Sequence, residues 1–353
     1  MKIKALLLFL AVLVCLTSTV LAADVPDLPD MLYPYTTVSE KPPELPGSGT
    51  EPFTIDLTFV GDCMLATYKG QYYDGSFSSY ADTQPPSYFF EKVYSIFSTD
   101  DFTIANLENV LTDRSLKETK KTGSTVFWFK APTRNANILT AGSIEAVSLA
   151  NNHTDDYGPE GRTDTIAAVK AVGLPYGNED TTIYLEKNGF RIAVICHGLW
   201  NEKQADEIVE RIQNASLESD YQIVFYHGGR EAVHKPEEWR VRASHKLADA
   251  GADLILGNHP HVLQPVEEYN GVHIAYSLGN FCFGGNRKPE NRTMIYKMLL
   301  TVQDGAVISQ VPNMLPCYVF TGSINNWQPA LITDKAQRQR VLDFLNWDAP
   351  LPY

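Results

Sequence analysis

A chain of 353 residues, 44% hydrophobic and 20% charged, is long enough to bury one large α/β core or two small ones. Its formal net charge of −13 excludes nucleic acid, or any other polyanion, as a bulk electrostatic partner. Local basic patches are compatible with that charge: the run Arg114–Lys121 is one, and Arg230, Arg240, Arg242, Arg287 and Arg292 could form another.

In chain order, the first segment stands apart from the fold. Lys2 and Lys4 precede an apolar stretch from Ala5 to Val14, and a small-residue end follows at Ala22 and Ala23. That is the pattern of a secretory signal peptide over residues 1–23, so export to the cell envelope or beyond is expected. An uncleaved membrane anchor is the variant of that reading, while Val14 ahead of Cys15 argues against lipidation. Losing Lys2 and Lys4 takes the charge from −13 to −15. Residues 24–52 carry Pro26, Pro29, Pro34, Pro42, Pro43, Pro46 and Pro52 without helical or alternating pattern, and read as an extended linker. Residues 53–353 show no repeat and no second linker, and are expected to form one domain. Cys63, Cys196, Cys282 and Cys317 remain after cleavage, none in a CxxC pair. Cys63 and Cys282 each follow a polar motif and are candidate neighbours; disulfides and buried thiols both stay open.

Five short apolar runs follow, each ending in a polar cluster. IDLTFV (55–60) leads to Asp62, FTIA (102–105) to Asn106 and Glu108, and EAVSLA (145–150) to Asn151, Asn152 and His153. YQIVFY (221–226) leads to His227, and ADLILG (252–257) to His259, Pro260 and His261. Such runs bounded by turn residues read as buried strands. Helices are expected at 159–172, at 202–217 with an Ala205, Ile208, Val209, Ile212, Ala215 stripe, and at 237–250 with Trp239, Leu247 and Ala248. HIAYSL (273–278), IYKMLLTV (295–302) and AVISQV (306–311) then read as strands without helices between them. A last helix near 334–346 is expected to cover one face. Alternation early and strands late predict an α/β sandwich with mixed sheets. In open α/β sheets ligands gather beyond the carboxyl ends of strands, where these clusters sit.

The residue types point to metal. A carboxylate at a buried strand end is costly unless a cation neutralises it, which singles out Asp62. Asn106 and Glu108, two apart, face one side in extended backbone, where Glu108 could bridge two ions or accept a hydrogen bond from a ligand. Asn oxygens are hard-cation ligands, and a neighbouring His153 can carry a proton. His259 and His261 share a face if their backbone is extended, with Pro260 stiffening it, and offer nitrogen to Zn, Mn or Fe. Asn151, Asp156 and Gln264 are candidates to orient these groups; Glu231 and His234 have weaker claims. His197, His245 and His273 read as structural or surface residues. Two ions with mixed oxygen and nitrogen ligands would suit displacement at phosphorus.

The blocks Phe59–Asp62, Ala105–Glu108, Phe129–Pro132, Ser148–His153 with Asp156–Gly158, Gly257–Gln264 and Tyr276–Phe281 resemble, in this order, the CapA family of capsule synthesis proteins. The resemblance runs from about Thr54 to about Phe283. It implies a four-layer α-β-β-α sandwich of the calcineurin-like metallophosphoesterase type and a role in producing or attaching a poly-γ-glutamate-like capsular polymer. By it, Asp62, Glu108, Asn152, His227, His259 and His261 would hold two divalent ions such as Mn, Zn or Fe, with Asn280 among the supporting residues. His153 would protonate the leaving oxygen while hydroxide activated by the metal attacks. The implied partners are an acidic polymer or phosphoester substrate and membrane-bound polymer synthase subunits. Two other readings stay open: a non-catalytic assembly or polymer-binding subunit, and a secreted phosphoesterase or nucleotidase unconnected to capsule. Three features depart from the pattern: the second phosphoesterase motif, Gly-Asp-x-x-(Asp/Glu), is here only the Asn106/Glu108 pair, and two single positions differ as well. Met64 stands where phosphoesterases of this type carry a His, and Gly228 where the family usually has an aromatic residue.

Overall fold

The computed structural model describes residues 50–123, 126–284 and 291–350. The expected signal peptide, most of the proline-rich linker and Arg287 therefore lie outside the described residues. In chain order the elements begin with β1 (Phe53–Cys63), β2 (Thr67–Tyr68), α1 (Phe77–Thr83), α2 (Tyr94–Phe97), β3 (Phe102–Leu107), β4 (Val110–Leu111) and β5 (Phe129–Ala131). Next come α3 (Ala136–Ala141), β6 (Ala146–Ser148), α4 (Gly158–Ala171), β7 (Tyr176–Gly177), β8 (Ile183–Lys187), β9 (Phe190–Gly198), α5 (Glu202–Ala215) and β10 (Tyr221–His227). The last are α6 (Glu238–Asp249), β11 (Leu254–Asn258), β12 (Leu263–Tyr269), β13 (Val272–Leu278), β14 (Thr293–Gln303), β15 (Ala306–Tyr318), β16 (Ala330–Leu331) and α7 (Lys335–Leu345).

Two mixed sheets carry the fold. One is ordered β16-β15-β14-β1-β3-β6-β7, the other β12-β13-β11-β10-β9-β8, and a small β2-β5-β4 sheet sits apart. Each large sheet is parallel at its centre: β1, β3, β6 and β7 in the first, β9, β10, β11 and β13 in the second. Antiparallel strands flank both. Alternate residues meet between the sheets, so that Ile55, Leu57, Phe59 and Ile104 share one core with Val194, Ile223, Phe225 and Leu256. Phe59 and Phe225 lie with ring centroids 5.6 Å apart across this layer.

The outer faces are covered as well. The stripe expected on α5 is present: Ala205, Ile208, Ile212 and Ala215 are buried against Ile195, Val224 and Tyr226, with Val209 partly buried. Burying each of the two isoleucines contributes roughly 1.5–3 kcal/mol. The helix starts where Asn201 accepts from the backbone N–H of Lys203 and Gln204, at 3.0 and 3.2 Å. α6 joins this layer through Leu247 and Ala248, while Trp239 is only partly buried. On the opposite side Val60, Ala105 and Val147 are fully buried, and α4 runs back against β4 and β7. The four-layer arrangement expected from the sequence is thus present, with one correction. α7 does not cover a face: Val341, Leu342, Phe344 and Leu345 enter the core between the sheets, and the helix touches β12 and β15, one from each. Its apolar stripe closes the open edge of the sandwich instead.

Among the described residues Cys63, Cys196, Cys282 and Cys317 are free and buried. Cys63 and Cys282 are neighbours, since the Met64 N–H bonds the Cys282 carbonyl at 2.8 Å, but they are not paired. Burial pushes the Cys63 thiol up to about 12, so it is no thiolate at neutral pH.

Candidate metal centre

The carboxyl ends of the two parallel sheet centres meet. Asp62 near the end of β1 forms a parallel bridge with Asn280 just past β13, through Asp62 N–H to Gly279 C=O at 3.1 Å and Phe281 N–H to Asp62 C=O at 2.8 Å. This approach requires a glycine before Asp62: a Cβ on Gly61 would stand 1.8 Å from the Gly279 carbonyl oxygen. β3 ends beside β1 and delivers Asn106 and Glu108; the turn after β6 delivers Asn151 to Asp156; β10 ends in His227; the turn after β11 carries His259 and His261. All six expected ligands come to one place.

Their polar atoms form two clusters around Glu108. At the first, His227 Nε2 lies 2.7 Å from Asn152 Oδ1, 3.1 Å from His259 Nδ1 and 3.5 Å from Glu108 Oε1. At the second, His261 Nδ1 lies 3.2 Å from Asp62 Oδ2 and 2.8 Å from Asn280 Oδ1, while its Nε2 is 3.9 Å from Glu108 Oε1. Two ligand triads satisfy metal-site spacing, Asp62–Glu108–His227 and Glu108–His259–His261, and both contain Glu108. Glu108 is fully buried, and among the described residues no hydrogen-bond donor meets either of its oxygens. A buried carboxylate without donors is costly, and a cation is the partner that removes the cost.

Electrostatics follow from that crowding. Burial, with Asp62 adding to it, pushes the Glu108 carboxyl well above the usual range. Burial also raises Asp62, but hydrogen bonds and charge from His227 and His261 outweigh it and hold that carboxyl low. Burial, helped by His227 and His261, drives His259 down to about 2. His261 goes the other way, to about 10, because Glu108 and Asp62 overcome its burial. A proton on His261 thus does part of what a metal ion would do, placing positive charge between two carboxylates.

Hydrogen bonds tie the candidate supporting residues to these groups. Asn106 Nδ2 donates to Asp62 Oδ1 at 2.7 Å and lies 3.1 Å from His227 Nδ1, fixing both. Asn151 Nδ2 donates to Asn106 Oδ1 at 3.1 Å and to the Leu107 carbonyl at 2.9 Å. Asp156 is fully buried; it holds His153 Nδ1 at 2.9 Å and accepts from the Phe129 N–H at 2.6 Å. This leaves His153 Nε2 facing inward, 3.8 Å from Glu108 Oε1. Burial lowers the His153 pKa, against the pull of Asp156.

Two expectations are corrected. His259 and His261 are not extended: their φ angles are +96° and +58°, so the turn, rather than a shared strand face, aims the two imidazoles. Gln264 orients neither histidine. It is fully buried, accepts from the guanidinium of Arg240, itself fully buried, and donates to the Val233 carbonyl at 2.5 Å.

Residues 56–285 match the family described as bacterial capsule synthesis protein PGA_cap, nearly two thirds of the chain. The chain belongs to that family. Among relatives of this PGA_cap chain is the PGA biosynthesis protein CapA of Bacillus subtilis, 29% identical over 252 residues, 65% of this chain and 63% of the relative. The capsule biosynthesis protein CapA of Bacillus anthracis is 26% identical over 318 residues, 82% of this chain and 73% of the relative. The chain thus spans a little under two thirds of the first relative's length. Among solved structures, a calcineurin-like phosphoesterase of Bacillus subtilis gives a TM-score of 0.44 at 14% identity, covering 75% of this chain and 91% of that one. The NAD nucleotidase of Haemophilus influenzae gives 0.42 at 12%, covering 84% and 63%.

In this PGA_cap chain aromatic rings line the site, and of these Trp200 and Phe283 belong to no motif read from the sequence. Trp200 meets His259 edge-on at 4.7 Å between ring centroids, Phe129 meets His153 at 4.9 Å, and Phe283 packs on His261 at 4.8 Å. Lys121 pairs with Asp156 and lies 3.4 Å from His153 Nδ1; in the sequence it is one cation in a run. The remaining histidines are held elsewhere: His197 Nδ1 by the Gly198 carbonyl at 2.7 Å, His234 Nδ1 by that of Leu263 at 3.0 Å, His245 by Glu267. His273 sits at the start of β13, opposite Glu268. Among the described arginines, Arg240 is buried, Arg242 pairs with Glu202 at 2.7 Å and Arg114 with Asp164 at 2.8 Å. Gly228 is explained by space: a Cβ there would lie 1.9 Å from the Leu199 carbonyl oxygen.

Proposed function

We propose that the chain is an exported, metal-dependent hydrolase of the cell envelope that acts on a capsular polymer of the polyglutamate kind. The observation that carries this reading is Glu108, a fully buried carboxylate whose oxygens meet no donor among the described residues and which two ligand triads share. The donor set, two carboxylates, one carboxamide oxygen and three imidazoles, suits Mn, Zn or Fe. Asp62, Glu108, Asn152, His227, His259 and His261 would hold two such ions. Bound there, the ions supply Lewis acidity toward an oxyanion and acidify water. The protein's own part is positional. Asn106 and Asn151 fix Asp62 and His227, and Asp156 fixes the His153 tautomer, so that Nε2 is the atom that takes or gives a proton beside the reacting group. The family's link to capsule production supports the polymer, and the N-terminal sequence pattern supports export.

The test is metal content by plasma mass spectrometry after Mn or Zn loading and desalting, for the wild type and the His259→Ala/His261→Ala double variant. About two ions per wild-type chain, lost in the variant, are expected. Cleavage of a capsular polymer by the loaded wild type, absent in His153→Ala with its metal retained, completes the reading. Retained metal without turnover on any polymer or phosphoester would favour a binding or assembly subunit instead.

A further inference from the structure

We infer that Asn280 is itself a metal ligand, supplying its side-chain oxygen to an ion at the point where Asp62 and His261 converge. This rests on the metal reading above and adds to it a residue outside both ligand triads. Three electron-rich atoms converge: Asp62 Oδ2 and Asn280 Oδ1 lie 3.2 and 2.8 Å from the same nitrogen, His261 Nδ1. An imidazole nitrogen carries at most one proton, and in the metal-free protein that proton has both oxygens within reach, Asp62 Oδ2 also accepting from the His259 N–H at 3.2 Å. A cation satisfies all three atoms at once. The site is enclosed: Asn280 is 3% exposed and Asp62 is fully buried.

The backbone places Asn280 there deliberately. Asp62 and Asn280 form a parallel bridge, so their side chains spring from adjacent positions on strands of different sheets. That bridge depends on Gly61, where any Cβ would strike the Gly279 carbonyl oxygen, and on Gly279 itself, at φ +74°. A neutral carboxamide also fits the local charge. Asp62 and Glu108 already face this ion, and an amide oxygen adds a hard donor without a third negative charge in a buried space.

The experiment compares the full chain with Asn280→Ala and Asn280→Cys, each loaded with Co²⁺, desalted and measured by plasma mass spectrometry and absorption. A cysteine reaches nearly as far as the amide oxygen, because thiolate–metal bonds of about 2.3 Å exceed oxygen–metal bonds of about 2.0–2.2 Å. Expected are two ions in the wild type, one in Asn280→Ala, and two in Asn280→Cys with a new near-ultraviolet thiolate-to-cobalt band. Two ions in Asn280→Ala, or no such band in Asn280→Cys, would overturn the assignment and leave Asn280 as a hydrogen-bond partner of His261. No ion in the wild type would overturn the metal reading itself, and this assignment with it.

Discussion

At the scale of single residues, the turn that carries His259 and His261 stores strain for the sake of aim. Both have positive φ, and His259 at +96° lies where side chains other than glycine are rarely found. Such a residue costs of order 1–3 kcal/mol and persists when its surroundings over-determine it. His259 is held by its N–H to Asp62 Oδ2 at 3.2 Å, while its ring packs between His227 and Trp200. Substitution should therefore separate strain from ligation. His259→Gly and His259→Ala are both expected to lose metal, but the metal-free glycine variant should be the more stable by about 1 kcal/mol, because only alanine keeps the penalty. Denaturant melts in the presence of chelator measure the gap; an alanine variant as stable as the glycine one would show that the backbone relaxes and stores nothing. The sequence could not announce this geometry. The pair two residues apart pointed to the cluster that forms the candidate metal centre, yet the extended backbone assumed for it was wrong, since a turn can aim both rings at Glu108 only by leaving the strand conformation.

At the scale of elements, the site is made where two strand ends from different sheets are pressed together, and one glycine permits it. Gly61→Ala is expected to force β1 away from the segment after β13, because the added carbon would stand 1.8 Å from a backbone oxygen that has no side-chain freedom to yield. Overpacking of this kind costs about 1–3 kcal/mol. The loss should appear both as a lower melting temperature and as a drop in bound metal, since Asp62, His261 and Asn280 meet across that junction. An alanine variant with wild-type metal content would mean the strand ends are not what sets the ligand geometry. Much of this level was legible beforehand. Apolar runs stopping at Asp62, Glu108, His227 and His259 gave both the strands and the end at which they deliver chemistry. Less legible were the partners that depend on three-dimensional neighbours. Gln264 follows the His pair closely but turns to the buried Arg240, and Lys121 reaches Asp156 from a run that reads as solvated charge. α7 was expected on a face and closes an edge instead, because its stripe does not reveal which apolar surface it will meet.

At the scale of the whole molecule, carboxyls with raised pKa lie at the end of the sandwich away from the candidate site as well as within it, where Glu108 is raised too, and substitution separates their pH dependence from the site's. The strand ends opposite the candidate metal centre hold partly buried carboxylates that accept backbone hydrogen bonds: Glu145 Oε2 from Thr103 N–H at 2.7 Å and Asp253 Oδ2 from Gln222 N–H at 2.7 Å. Asp100 accepts from the Thr103 hydroxyl at 2.7 Å. Burial outweighs these bonds and raises Glu145 from 4.5 to about 7, and Asp100 and Asp253 from 3.8 to about 6. Between the ordinary and the raised values the folded chain holds protons that the unfolded chain has released. Their contribution to stability is therefore full below about pH 4 and is lost as pH rises through 6 and 7. Asp62 has the opposite sign: its lowered pKa stabilises above 3.8 and fails only as pH falls further, outside that window. The melting temperature of wild type relative to Glu145→Gln, with metal chelated, should fall steadily from pH 4.5 to 7.5. Gln keeps an acceptor for the Thr103 N–H but cannot titrate, so the difference isolates one carboxyl. Parallel curves across that range would mean that Glu145 ionises in the folded chain as it does in water, and that the end of the sandwich away from the metal centre is wetter than its burial indicates.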